Sequence, residues 1–293
     1  MSAGSVPPAA SVVLDYLRAQ AEVMAERADD VRTDTPDAVH RSRVATRRAR
    51  SALRTFASLF SAKRVRLLRT ELAWHADQLG APRDAEVLAE RLQGLLDQLP
   101  AGQVTLPARA RLTDNLTQVH ATGHRALVAS MDSPRYTDLR EQFDRFLAEP
   151  PIRSSQADAG LDVLASLLAR CVTRVRRKEA RAAASGDDPH RWHEVRKAAK
   201  AARYCSEALL PAFGQPARQL AQAWEQVTEA LGELQDTVVA EAYLGTEAAR
   251  AREARESADT FLAMISAELR LRDDALERGR TALQQALALP PLS

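Results

Sequence analysis

The stretch from Asp34 to Phe60, DTPDAVHRSRVATRRARSALRTFASLF, constrains its own conformation tightly. On an α-helix successive residues turn by about 100°. With His40 at zero, Arg43, Arg47, Arg50 and Arg54 fall between about 280° and 340°, so His40 and these four share one strip roughly 80° wide. Ala49, Ala52, Leu53, Phe56, Leu59 and Phe60 fall on the other side, between about 100° and 220°. Residues 40–54 hold six Arg and no Asp or Glu. One face is therefore built to pack, and the other carries several cations with no acid of its own.

The pattern occurs twice. From Asp187 the chain reads DDPHRWHEVRKAAKAARYCSEALL, and an offset of 153 aligns Asp34 with Asp187, Pro36 with Pro189 and His40 with His193. Arg43, Arg47 and Arg50 then meet Arg196, Lys200 and Arg203. Downstream, Leu79-Gly80 followed by Asp84 answers Leu231-Gly232 followed by Asp236, at an offset of 152. The chain is an internal duplication, and each copy carries H-x-x-R-x-x-x-[RK]-x-x-R.

No stretch alternates in the period-two manner of a strand, and Ala, Leu, Arg and Glu dominate with aromatics at only 4%. These residues favour helices packed through small aliphatic contacts. The expected fold class is all-α: two pseudo-symmetric four-helix bundles, with the basic helices facing a central pocket. Residues 1–10 read as a disordered lead, 11–149 as the N-terminal bundle, 150–156 as a linker and 157–290 as the C-terminal bundle. Within this plan a first helix runs to about Val31, Thr35-Pro36 cap the strip helix, and Gly80-Ala81-Pro82 close a third helix. In the second half, Pro211–Pro216 form a loop, and helices end and restart between Leu231 and Thr237.

Net charge is only +2, yet residues 225–259 hold nine Asp or Glu against three Arg. A near-neutral total with local basic strips argues for a discrete anion site, not for coating DNA or a membrane surface. No run of 18 apolar residues exists, and the N-terminus lacks the basic and apolar regions of a signal peptide, so the expected compartment is the cytoplasm. Cys171 and Cys205 fall on apolar helix sides and read as free buried thiols.

A solvated helix face interleaves Glu with Lys or Arg, whereas like charges at i,i+4, as in Arg43/Arg47 and Arg50/Arg54, repel unless something neutralises them. Arg and His along about 21 Å suit an elongated polyanion rich in phosphate oxygens, which guanidiniums bind bidentately. Arg170, Arg174, Arg177 and Arg181 form a further strip, opposed to Leu17, Ala21, Met24 and Ala28 at the first-copy positions. A lopsided site, richer on the C-terminal side, is expected. Tyr204, close to His193 on the helix wheel, could donate its hydroxyl to phosphate.

Other readings are weaker. His120/His124 and His190/His193 have ligand-like spacings, but no companion acid stands at HExxH spacing, and Arg neighbours repel a metal cation. Single-stranded nucleic acid calls for aromatic platforms, and only Tyr204 and Trp192 lie near a strip. A phosphohistidine carrier and a metal-dependent phosphohydrolase stay open as alternatives, although the chain has no Walker loop, no GxSxG and no acidic Mg²⁺ triad. Asp84 and Asp236 read as helix N-caps or as partners steering a strip Arg.

VHRSRVATRRARSALRTF and WHEVRKAAKAARY, followed by LGAPRDAEVL and LGELQDTVV, resemble the CHAD domain, the conserved histidine α-helical domain. The resemblance spans about Ser11 to Leu289. It implies two four-helix bundles about a pseudo-twofold axis, basic helices lining a central pocket or pore, binding of inorganic polyphosphate, and in some members association with polyphosphate granules. Carried over by position, the implied ligands are His40, Arg43, Arg47 and Arg50, with His193, Arg196, Lys200 and Arg203; Arg48 and Lys197 point off the strip. Many relatives carry an N-terminal triphosphate-tunnel domain, and no β-rich segment is present here. The reading is a non-enzymatic binder of inorganic polyphosphate with no cofactor. Its site is His40, Arg43, Arg47, Arg50, Arg54, His193, Arg196, Lys200, Arg203, Arg174, Arg177, Arg181 and Tyr204.

Overall fold

The computed structural model describes residues 8–292, and among these the regular structure is helical, apart from one isolated β-bridge. The α-helices are α1 (Pro8–Glu26), α2 (Ala28–Arg32), α3 (Ala38–Thr55), α4 (Ala62–Gln78), α5 (Gly80–Gln98), α6 (Leu106–Met131), α7 (Pro134–Ala148), α8 (Leu161–Ala183), α9 (Pro189–Ala208), α10 (Leu210–Glu253) and α11 (Asp259–Ala288). The chain is all-α, as its periodicity requires.

The apolar stripes account for the packing. In α3, Val39, Ala45, Ala49, Ala52 and Leu53 are buried; in α9, Trp192, Val195, Ala199, Ala202 and Cys205 are. Small residues on these faces let helix axes approach closely, and α3 and α9 pack against one another. A larger core gathers apolar residues of α1, α3, α4, α7, α8 and α9, with the first half of α10 and the second half of α11. A smaller core joins α5 and α6 to the remaining ends of α10 and α11. Both draw on residues from either side of 150–156. That segment is itself stitched down: Phe60 bridges Ile152, Ser61 N–H donates to Pro151 O at 2.7 Å, and Arg153 N–H donates to Leu59 O at 3.0 Å.

Several sequence expectations need correction. Residues 1–7 of the expected disordered lead lie outside the described residues, but Pro8, Ala9 and Ala10 open α1. Ala9 and Ala10 are buried there, and the Ala9 N–H donates to Ala159 O at 3.2 Å. The first helix breaks at Arg27, so its expected C-terminal part becomes α2. Thr35-Pro36 do not cap the strip helix. Asp37 does so by position, in the left-handed region at φ 66°, which Asp tolerates better than most residues.

Gly80-Ala81-Pro82 open α5 instead of closing α4, because the first-turn N–H groups of a helix have no intrahelical partner and a proline there forfeits nothing. The expected loop at Pro211–Pro216 shrinks to a kink at Gly214 (φ 56°, ψ −128°), and Pro216 falls in the turn that resumes the helix. From there α10 runs through Leu231-Gly232 without the expected break. A glycine inside a helix costs about 1 kcal/mol relative to alanine, and here the space left by the missing side chain is used by the site.

Candidate functional site

α3 and α9 turn their basic faces into one cleft of about 1130 Å³. α3 supplies His40, Arg43, Arg47 and Arg48, and α9 supplies His193, Arg196, Lys200, Arg203 and Tyr204. α5 and α10 form the opposite walls with Arg83, Asp84, Arg91, Thr228, Gly232, Gln235 and Asp236, while α1 contributes Gln20 and Val23. Ten Lys or Arg face seven carboxylates in this lining, so the cleft is cationic but not bare of acids.

Apart from Asp37 at the head of α3, those acids come from α1, α5 and α10, and Glu207 of α9 adds to them, which the local pattern of α3 cannot reveal. Arg43 Nη2 meets Asp84 Oδ1 at 2.9 Å. Arg203 Nε donates to Glu207 at 2.8 Å, and its guanidinium also pairs with Glu225. Arg48 lies 2.9 Å from Glu207 and over the Tyr204 ring, 5.8 Å from its centroid. Arg91 is gripped by the fully buried Glu268 at 2.7 and 2.6 Å and by Glu233 at 3.0 Å. Arg91 and Arg203 thus have two carboxylates each and Arg48 shares Glu207 with Arg203, so the charge of these three is offset internally.

Three basic residues of the lining differ. Among the described residues no carboxylate oxygen lies within 4.0 Å of the Arg47, Arg196 or Lys200 cation. Arg196 Nε reaches only the Thr228 carbonyl, at 3.5 Å. Burial, then the nearby Arg47, Arg196 and Arg43, push the Lys200 amine down to about 6, with Asp236 opposing. Burial likewise raises the Asp236 carboxyl above its ordinary range, against the pull of Arg196. Burial is also the first cause lowering His40 and His193, followed by Arg83 for His40 and by Lys197 and Arg196 for His193. The His193 Nδ1 is buried without a partner. A cluster of cationic groups with no ion-paired acid, opposed only by the more distant Asp236, is an electrostatic demand for an anion.

The duplicated Leu-Gly-x-x-x-Asp segment explains how the strips are seated. A Cβ at Gly232 would stand 3.0 Å from Arg196 Nη2, and one at Gly80 would stand 3.9 Å from Arg43 Nη2. In each copy the guanidinium lies over a glycine backbone, with an Asp one helical turn on. Of the two sequence readings for these acids, the ion-pair role fits Asp84, and the N-cap role fits neither, since both sit inside helices.

Not all predicted residues converge. Arg50 and Arg54 leave the cleft with the C-terminal half of α3; Arg54 is exposed and lies near Arg174 and Arg69. Arg174, Arg177 and Arg181 are exposed on α8 and outside the cleft lining. α8 buries Leu164, Leu168, Val175 and Ala182 in the core, which turns the opposite Arg face to solvent. The expectation of a lopsided site enriched by α8 is therefore overturned: α1, with no such strip, is the first helix that borders the cleft. Sequence reasoning missed Arg83, Arg91, Gln235 and the cleft position of Arg48. Arg83 stands inside the duplicated Leu-Gly-x-x-x-Asp segment, which was a usable signal; Arg91 had none. Lys197 is occupied by Glu194, which its ammonium and Lys178 hold down to about 2. His120 and His124 stack with parallel rings near Asp34, at 3.7 and 3.8 Å, and His124 Nε2 lies 2.7 Å from Val31 O. No group of three His, Cys, Asp or Glu among the described residues is arranged to hold a metal.

Fold and site together define a helical protein whose two duplicated basic helices share a cationic cleft. The CHAD domain model matches residues 15–245, and the chain belongs to that family. Over 263 residues it is 34% identical to protein Rv2226 of Mycobacterium tuberculosis (strain H37Rv) and 33% identical to MT2285 of strain CDC 1551. Each match covers 88% of this chain but 48% of the relative, so the chain spans about half the length of these curated relatives. Among solved structures it is similar to PptA from Streptomyces chartreusis, at 25% identity and a TM-score of 0.76, covering 95% of this chain and 99% of that one. The CHAD domain from the plant Ricinus communis shares the fold at 21% identity and a TM-score of 0.73, covering 100% and 96%. No helix among the described residues is long and apolar enough to cross a membrane.

Proposed function

We propose that the cleft binds inorganic polyphosphate and that this chain acts as a binding module, without catalysis of its own. The observation that carries the reading is the pairing pattern: the other seven Arg of the cleft lining each meet a carboxylate, while Arg47, Arg196 and Lys200 do not. A chain of phosphates supplies the missing counter-charge at regular intervals, and guanidiniums meet its non-bridging oxygens bidentately. His40 and His193 add charge-assisted hydrogen bonds once the bound phosphates hold them protonated. Family membership supports the same ligand class, and the scarcity of aromatic residues in the cleft favours phosphate over nucleobases. On this reading the protein accompanies cytoplasmic polyphosphate, granules included.

Arg47→Glu combined with Lys200→Glu is expected to abolish polyphosphate binding in a calorimetric titration, with the helical circular dichroism retained. Affinity is also expected to fall steeply with salt, because phosphate neutralisation releases condensed counterions. Unchanged affinity in the double variant would remove the cleft from the function. Phosphate release from polyphosphate with Mg²⁺ or Mn²⁺, or acid-labile phosphorylation of the protein, would replace a binding role with the phosphohydrolase or phosphohistidine alternatives.

A further inference from the structure

We propose that Lys200 is a self-acylating site: an acyl phosphate entering the cleft is held by the guanidiniums around this amine and passes its acyl group to Nζ. The inference rests on reading the cleft as a phosphate site, and it adds covalent chemistry at its floor.

The chain has only four lysines among 41 Lys and Arg residues: Lys63, Lys178, Lys197 and Lys200. Lys63 is exposed, and Lys178 and Lys197 both pair with Glu194. Lys200 stands in the cleft where the first copy has Arg47, largely withdrawn from solvent. Arg43 and Arg47 face it from α3 and Arg196 from its own helix, while Asp236 of α10 is the acid that opposes them. A guanidinium at this position would stay charged against three others; an amine can discharge. At neutral pH Lys200 is mostly free amine, held down to about 6 by burial and by those guanidiniums. The result is a nucleophile beside an anion cradle, the arrangement by which a desolvated lysine near other cations is activated.

The step balances without any redox partner. The Nζ lone pair attacks the carbonyl carbon, the carbon–oxygen bond to phosphorus breaks, and its electron pair departs with the phosphate. Arg43, Arg47 and Arg196 stabilise the charge developing on that leaving group. The amine proton passes to the departing phosphate or to water, leaving a neutral amide and inorganic phosphate. The amide removes the amine that bound phosphates would otherwise protonate and adds bulk to the cleft, so polyphosphate affinity drops.

Acetyl phosphate is the probe, used on the full chain at pH 7.5 with acetylation of each lysine followed by peptide mass spectrometry. Relative to a lysine of ordinary basicity, the free-amine fraction at Lys200 is larger by about a thousandfold. The weaker base is also the weaker nucleophile, which offsets part of this gain, while the guanidiniums that hold the phosphate add to it. Lys200 is expected to acetylate several-fold faster than Lys63. Its rate should level off above pH 7, and saturating polyphosphate should suppress it without affecting Lys63. Arg47→Ala is expected to slow acetylation at Lys200 alone. Labelling of Lys200 no faster than Lys63 overturns the proposal. A parallel polyphosphate titration separates the two claims. Tight polyphosphate binding with an inert Lys200 ends the acylation proposal and leaves the cleft's function standing. Selective acetylation that polyphosphate neither competes with nor follows does the reverse.

Discussion

Filling the cleft with polyphosphate is expected to draw a proton onto Lys200. In the empty cleft the amine is held down to about 6 by burial and by Arg47, Arg196 and Arg43. Phosphate oxygens among those guanidiniums cancel the repulsion and restore the lysine toward its ordinary value of about 10.4. At pH 8 about one hundredth of the empty sites carry this proton, so binding takes up close to one proton per cleft. The sign follows from linkage: the bound state has the higher affinity for protons, so polyphosphate affinity rises as pH falls. From pH 8 to pH 6 the Lys200 contribution amounts to roughly fiftyfold in affinity, since the interior phosphates of a long chain stay ionised throughout. Calorimetry in Tris and in HEPES at the same pH measures the uptake from the dependence of the apparent enthalpy on buffer ionisation enthalpy. His40 and His193 add to the uptake nearer pH 6.5, because both are lowered in the empty site. Lys200→Arg removes the titrating group, so the uptake at pH 8 should collapse in that variant. Zero uptake at pH 8 in the native chain, or the same uptake in Lys200→Arg, would refute the reasoning.

Gly232→Ala places a methyl group 3.0 Å from Arg196 Nη2, so the guanidinium must move: polyphosphate affinity is expected to drop several-fold, while helix propensity holds thermal stability within about 1 kcal/mol of the native chain. Gly80→Ala meets Arg43 at an ordinary 3.9 Å and is expected to leave affinity unchanged, which titration of the two variants side by side would check. His75 is fully buried, neither ring nitrogen has a hydrogen-bond partner, and burial holds it down to about 4. Its neutral form is the native one, so the stability it permits is complete above about pH 6.5 and is lost as pH falls toward 4, by at most about 3 kcal/mol. His75→Phe should flatten that part of the denaturation profile measured by urea titration. The neighbouring Cys205, then Thr55, Arg54 and Arg174, lower the Cys171 thiol to about 7, whereas burial raises Cys205. Iodoacetamide at pH 7.5 is therefore expected to alkylate Cys171 first, with Cys205 reacting only on unfolding, as read by mass spectrometry.

The sequence by itself determined the helical class, the duplication and the two cationic strips, because each of these lives in local periodicity. An Arg every three or four residues on one side, opposite Ala and Leu, has the same meaning wherever the helix lies. It also carried His40, Arg43, Arg47, His193, Arg196, Lys200, Arg203 and Tyr204, which the fold brings into one cleft. What only the tertiary structure decided is which charges remain available. Arg43, Arg48 and Arg203 look as free as Arg47 along the chain, but Asp84, Glu207 and Glu225 reach them, each from another helix. The Arg row of α8 looked like part of the site, and packing of its apolar side turned it outward. Helix ends were misread for a related reason. Gly80, Pro82 and Gly232 carry the local mark of a break, yet Pro82 stands in a first turn that needs no N–H, and Gly80 and Gly232 lie beneath an arginine from another helix. Periodicity belongs to a segment, whereas neutralisation, desolvation and close approach belong to pairs of segments, and only the folded chain defines those pairs.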